Sequence, residues 1–146
     1  MCDVSDPAVQ QAYDDIRDDK SPLTWAVFGY DSTGNKIQVA ASGNEENPLD
    51  ALIPNLKEDA ANFCFFSIIT GDEQSKRKKF VFLTWVGEKV GVMKKAKISV
   101  HKASIKTVVK DFASEFHYTT AAELDAKVIK DTVVKAGGAN YSANTS

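Results

Sequence analysis

Hydrophobic residues recur along this chain with two spacings, and the change from one to the other marks its predicted elements. After Asp6-Pro7, which is typical of a helix start, apolar side chains follow three or four residues apart; they are Val9, Ala12, Tyr13 and Ile16. Residues 24–30 and 36–40 are apolar or alternating runs around a polar turn, which predicts a hairpin. Asn47-Pro48 repeats the helix-start pattern ahead of a short apolar segment.

The middle of the chain holds its most apolar segments. Residues 63–70 form a continuous and mostly apolar run, as expected of a strand covered on both faces, and 80–86 form another. A polar turn between them predicts a second hairpin. Strand geometry then places Lys76 and Lys78 on the face of Phe80, and Arg77 and Lys79 on the opposite face.

Helical spacing returns after the second hairpin. It predicts a helix over 90–116 with a break near Ile98–His101, where the residues are weaker helix formers. A short strand at 116–118 follows. Thr120 and Glu123 then form a capping box before a last helix that Gly137-Gly138 is expected to end.

This order of elements predicts a mixed α/β domain with helices on both faces of its sheet. We assign residues 1–138 to one domain and 139–146 to a flexible tail. The two cysteines indicate no disulfide framework, and the start of the chain lacks a signal-peptide pattern. We therefore expect an intracellular protein without a membrane span.

Charge is distributed very unevenly along the chain. Residues 1–75 hold 4 Lys and Arg against 14 Asp and Glu, 76–110 hold 11 against 1, and 111–146 hold 3 against 5. The net charge of −2 thus combines segments of −10, +10 and −2. A cluster of one sign indicates a charged partner. The competing interpretation of Lys76 to Lys79 is a charged cap that keeps an apolar strand soluble.

Chemistry that would indicate an enzyme is missing from the sequence. There is no phosphate-binding loop and no dinucleotide fingerprint, and His101 and His117 have no partners at metal-ligand spacing. We expect no catalytic residues, no metal and no cofactor. Nucleic-acid binding is not expected either, because aromatic residues do not alternate with the cations.

Three motifs carry a family resemblance: AYDDIRDD at 12–19, TGDEQSKRKKFVFLTWVGEKV at 70–90, and KAGGANY at 135–141. Together they resemble the coactosin branch of the actin-depolymerising-factor homology family. The resemblance implies a mixed sheet of five or six strands between helices. It also implies binding along filamentous actin in the cytoplasm and cytoskeleton, by a monomer, with interference in filament-end capping.

The resemblance also implies which residues bind. The family's filament contacts at the start of the fourth strand correspond to Lys76, Arg77, Lys78 and Lys79, of which we favour Lys79 and expect it to be exposed. A second contact at the start of the long helix corresponds to Lys94, Lys95 and Lys97. We expect the strand-borne and helix-borne cations to converge on one surface.

Two departures from the family pattern bear on activity. Met93 stands where cofilin-like members have the first cation of a triplet, and Cys2 and Asp3 replace a regulatory serine. Monomer binding, severing and phospho-switching are therefore not expected. The alternatives are an adaptor that binds acidic phospholipid through its basic face, or one that binds an additional protein partner through the C-terminal helix and tail.

Overall fold

The structure is a computed structural model that describes residues 3–70 and 77–139. Over these residues it contains four α-helices, five strands and two short 3₁₀ turns. The helices are α1 (Pro7–Arg17), α2 (Pro48–Leu52), α3 (Val92–Ile105) and α4 (Ala126–Ala139). The strands are β1 (Trp25–Tyr30), β2 (Ile37–Gly43), β3 (Ala61–Thr70), β4 (Arg77–Val86) and β5 (Ser114–Tyr118).

The five strands form one sheet in the order β2-β1-β3-β4-β5. All neighbours are antiparallel except β4 and β5, which are parallel. The ten residues of β3 pair along their whole length with the ten of β4. The predicted mixed sheet and the two central strands are therefore confirmed.

Each face of the sheet is covered by a different pair of helices. We call the side that carries Phe63, Phe65 and Phe82 the first face; it packs against α1 and α3. The second face carries Cys64, Phe66 and Leu83 and packs against α2 and α4. Alternation along the strands produces these two cores, because neighbouring residues point to opposite sides. None of the described helices has the length and apolar character needed to cross a membrane.

The first half of the chain folds as its pattern predicts. The Asp6 carboxylate accepts a hydrogen bond of 2.9 Å from the Ala8 N–H and so caps α1. All four apolar residues predicted for the inner side of α1 are buried. The hairpin turn contains Gly34 at φ 75°, a conformation that glycine adopts without steric cost.

The prediction of one broken helix over 90–116 is wrong in two respects, the break near Ile98 and the position of the helix end. The helix α3 is continuous through Ile98, which is 1% exposed, so core packing outweighs weak local propensity. It ends at Ile105, and Phe116 belongs to β5. The apolar spacing misled because Val109 and Phe112 contact the same first-face core from turns beyond the helix.

The C-terminal segment differs from prediction in two details. Glu123 accepts hydrogen bonds from Thr119 and Thr120 as a capping box should, but it caps a 3₁₀ turn, and Asp125 caps α4. The helix also continues through Gly137-Gly138 to Ala139, since glycine lowers helix stability by only about 1 kcal/mol relative to alanine. The rest of the predicted tail, 140–146, lies outside the described residues.

Candidate functional site

The cations before Phe80 lie at the N-terminal end of β4. Lys76 is outside the described residues, and the backbone of Arg77 pairs with Thr70. Lys78 pairs with Ile69, and Lys79 with Ile68. Because consecutive strand residues alternate, Lys78 lies on the first face and Lys79 on the second.

Lys78 is held close to the end of α1. Its Nζ lies 3.8 Å from Asp19 Oδ1 and 5.8 Å from the centroid of the Phe80 ring. The Lys78 side chain is 22% exposed, whereas that of Asp19 is 92% exposed. Lys78 is therefore partly neutralised within the molecule.

Lys79 has a different environment. It shares the second face with the buried residues Ile68 and Val81, and it forms no ion pair with any residue that the structure describes. Its side chain is half-buried, so the expectation of full exposure is wrong. The reason is that strand pairing continues to Arg77, so the buried neighbours of Lys79 shield its aliphatic part.

The helix-borne cations lie in the first turns of α3. Lys94, Lys95 and Lys97 are exposed and form no ion pair within the described part of the chain. The first turn of α3 contains no acidic residue. Positive charge at a helix N-terminus opposes the helix dipole, so these lysines are not placed there for helix stability.

The lysines in and just after the last turn of α3 are instead engaged within the molecule. Lys106 Nζ lies 2.7 Å and Lys102 Nζ 3.7 Å from the carboxylate oxygens of Glu115 on β5. Lys102 Nζ is also 3.2 Å from His117 Nδ1. Burial, then the positive charge of Lys102, lowers the pKa of His117. Only the first half of α3 thus presents lysines that are free of ion pairs with described residues.

A groove of about 620 Å³ borders these free lysines. The groove lies between α3 and the β1–β2 turn, and Lys94 Nζ is 5.8 Å from the centroid of the Tyr30 ring. Beside it, Val92 and Met93 are 82% and 80% exposed. Exposed apolar side chains next to unpaired cations are suited to a protein surface that is both acidic and apolar.

Tyr30 and His101 support this groove, although the sequence did not single out either as part of a site. Tyr30 Oη lies 2.7 Å from His101 Nδ1, joining residues 71 positions apart. Burial, followed by nearby positive charge that includes Lys97, lowers the pKa of His101. His101 therefore belongs to a defined contact between α3 and β1.

The two basic clusters do not share one surface. Lys94 lies against Tyr30, which follows Phe28 at the end of β1; Phe28 pairs with Phe63, and Phe63 pairs with Thr84 near the last residues of β4. The strand-borne cations begin β4, and a strand of ten residues spans roughly 30 Å. The expectation of convergence on a single face is wrong, because the clusters occupy opposite ends of the sheet.

Known proteins share both the sequence pattern and the fold of this chain. Residues 1–134 match the family described as cofilin/tropomyosin-type actin-binding protein. The coactosin of Dictyostelium discoideum is 37% identical over 147 residues, covering 100% of this chain and 99% of the relative. The similarity thus extends over the whole domain.

Solved structures give the same result. The crystal structure of coactosin from Entamoeba histolytica superposes with a TM-score of 0.84 at 34% identity, covering 94% of this chain and 97% of that one. The solution structure of mouse coactosin, described as an actin filament binding protein, gives a TM-score of 0.74 at 36% identity with 99% of each chain covered. These similarities confirm the mixed sheet between two helical layers.

Proposed function

This chain belongs to the coactosin-like branch of the cofilin/tropomyosin-type actin-binding proteins, and we propose on that premise that it binds along the sides of actin filaments. It is an actin-binding protein of the cytoskeleton, and the members of its family are not enzymes. The mouse relative's description as an actin filament binding protein supports the filament as the target.

Lys79 is the observation that carries this proposal. It is a cation without an ion pair among the described residues, on a strand whose following residues alternate between the first-face and second-face cores. Little ordering of the backbone is then needed on binding, which lowers the entropic cost of the contact. An acidic site on the filament surface would pair with it directly.

The lysines of α3 that form no ion pair with a described residue supply a second contact. Since roughly 30 Å separates the two ends of β4, a single acidic site is too small to engage both clusters. A polymer offers the same surface at regular intervals. Two separated basic sites are therefore better suited to an assembled filament than to one subunit.

We further propose that the protein interferes with filament-end capping but neither sequesters monomers nor severs filaments. Met93 occupies a position where cofilin-like members carry a cation, and its side chain is 80% exposed. A thioether there provides apolar contact without charge. The loss of one cation reduces electrostatic attraction to an isolated monomer more than attraction to a filament that also contacts Lys79.

Co-sedimentation with filamentous actin over a salt series tests the proposal. Binding should weaken as salt rises, because contacts between exposed charges are screened within about 10 Å at 0.1 M. The protein should pellet with filaments at low salt and be released at high salt. Absence from the pellet at every salt concentration would refute filament binding.

The remaining alternatives have their own tests. Val128 and Val134 on α4 are 55% and 43% exposed, which supports an additional protein partner at that helix. Substituting both by serine should leave filament binding unchanged.

Sedimentation of the free protein should give a monomer. Pelleting with acidic phospholipid vesicles but not with filaments would favour the adaptor function.

A further inference from the structure

Arg17, the last residue of α1, makes more contacts than is usual for a surface arginine. Its guanidinium carbon lies 5.1 Å from the centroid of the Phe80 ring and 5.6 Å from that of Tyr13. Its Nη1 donates a hydrogen bond of 3.3 Å to the Asp111 carbonyl oxygen and lies 3.9 Å from Asp111 Oδ2. The guanidinium is thereby restrained before any partner arrives.

The same ring brings Arg17 next to the strand-borne cluster. Lys78 Nζ is 5.8 Å from the Phe80 centroid, so both cations lie against one aromatic side chain. Phe80 is itself fixed by stacking on Phe65, with centroids 5.7 Å apart and planes 10° apart. The end of α1 and the start of β4 therefore form one rigid surface on the first face, where Asp111 pairs with Arg17 and Asp19 pairs with Lys78.

Two further side chains complete this surface. Asp19 lies 3.8 Å from Lys78, and Ile69, the strand partner of Lys78, is 49% exposed. An ion pair of 3.8 Å whose carboxylate is 92% exposed contributes at most about 1 kcal/mol and exchanges readily. A carboxylate from outside can thus replace Asp19 at Lys78, and Ile69 offers apolar contact beside it.

We propose that Arg17 is a direct actin-binding residue and that Asp19 is an internal competitor for Lys78. This proposal rests on the proposed function and extends its strand-borne contact onto α1. The partner is the carboxylate-bearing surface of the filament. The Arg17 side chain is 36% exposed, and its guanidinium has five N–H donors, so donors remain for a second carboxylate.

Preorganisation is what makes Arg17 effective. A planar guanidinium held by two rings loses little freedom on binding, unlike a lysine on a flexible stem. If Arg17 served packing alone, its substitution would change stability but not the affinity of the folded protein. Affinity and stability therefore have to be measured on the same variants.

The test uses full-length Arg17→Gln, Arg17→Lys and Asp19→Asn in co-sedimentation at low salt, with a melting curve for each. Arg17→Gln should weaken filament binding about tenfold, and Arg17→Lys should restore part of the loss. Asp19→Asn should tighten binding about threefold, because it frees Lys78 and removes a charge that repels an acidic partner. Asp131→Asn, another exposed acid, lies on α4 over the second face and is the matched control.

The outcomes separate this inference from the proposed function. Wild-type affinity in folded Arg17→Gln, in an assay where charge reversal by Lys79→Glu does weaken binding, would overturn the role of Arg17 and leave filament binding in place. Failure of the wild type to pellet would refute the proposed function itself. If Arg17→Gln does not fold, Asp19→Asn decides, since an unchanged affinity there overturns the proposal.

Discussion

Lys79 lies directly opposite Ile68 on the neighbouring strand, and Ile68 is only 5% exposed. A cation is thus paired, through its backbone, with a residue of the second-face core. The start of β4 is consequently rigid where it carries charge. We expect this rigidity to make Lys79 a stronger filament contact than a mobile surface lysine would be.

We expect Lys79→Glu to lose about 2–5 kcal/mol of filament-binding free energy. The substitution removes an attractive contact and adds repulsion from an acidic surface. Lys78→Glu should lose less, because Asp19 already neutralises part of the Lys78 charge. Co-sedimentation at fixed salt gives both values.

The control for this prediction is Lys57→Glu. Lys57 is exposed, forms no ion pair with a described residue, and precedes β3 at the end opposite Lys79. The free energy of unfolding, obtained from melting curves, should differ from that of the wild type by less than about 1 kcal/mol in all three variants. If folded Lys79→Glu pelleted with filaments as well as the wild type, the basic residues at the start of β4 would be only a charged cap that keeps the strand soluble.

Alternation in the sequence was sufficient to divide the strand-borne cations between two faces. It placed Lys78 with Phe80 and Lys79 with Val81, as the structure has them. Alternation does not say which ends of different strands meet. The position of Lys94 beside Tyr30 depends on the strand order, so the separation of the clusters could not be predicted from local pattern.

Contacts between residues that are far apart in the sequence could not be predicted either. The hydrogen bond between Tyr30 and His101 joins two elements whose sequences show no shared signal. The motif at 12–19 contains Arg17 but carries no sign of its contact with Phe80 in β4. Local spacing also overextended α3, because buried turns and helices both place apolar residues inward.

Monomer binding and severing supply a second prediction. We expect weak or no binding to monomeric actin and no filament shortening under the microscope, since Met93 leaves the cation triplet incomplete. Met93→Lys should strengthen monomer binding severalfold by restoring the charge. Tight monomer binding by the wild type would show that the existing lysines of α3 suffice.

Removal of residues 140–146 should leave folding and filament binding nearly intact. The described core residues of α4, Ile129 and Val133, remain in the truncated chain. The melting temperature should change by less than about 2 °C. A much larger decrease would show that Tyr141 packs onto the domain and that the domain extends beyond Ala139.

The contact between His101 and Tyr30 gives stability a predictable dependence on pH. Burial, together with nearby positive charge that includes Lys97, lowers the pKa of His101 in the folded protein. The unfolded chain, with a histidine pKa of about 6.5, then takes up the proton more readily. The contribution of neutral His101 to the free energy of unfolding is therefore complete above about pH 6.5 and is lost as the pH falls through the lowered folded pKa.

His101→Gln removes this titration while keeping a side chain that can hydrogen-bond to Tyr30. Between pH 7.5 and 5.5, its melting temperature should fall less than that of the wild type. His117 has a lowered pKa for a related reason, burial and the charge of Lys102, but it titrates in both proteins and cancels in the comparison. Parallel decreases in the two proteins would mean that His101 takes up its proton equally in the folded and unfolded states. The hydrogen bond of 2.7 Å to Tyr30 would then not depend on a neutral imidazole.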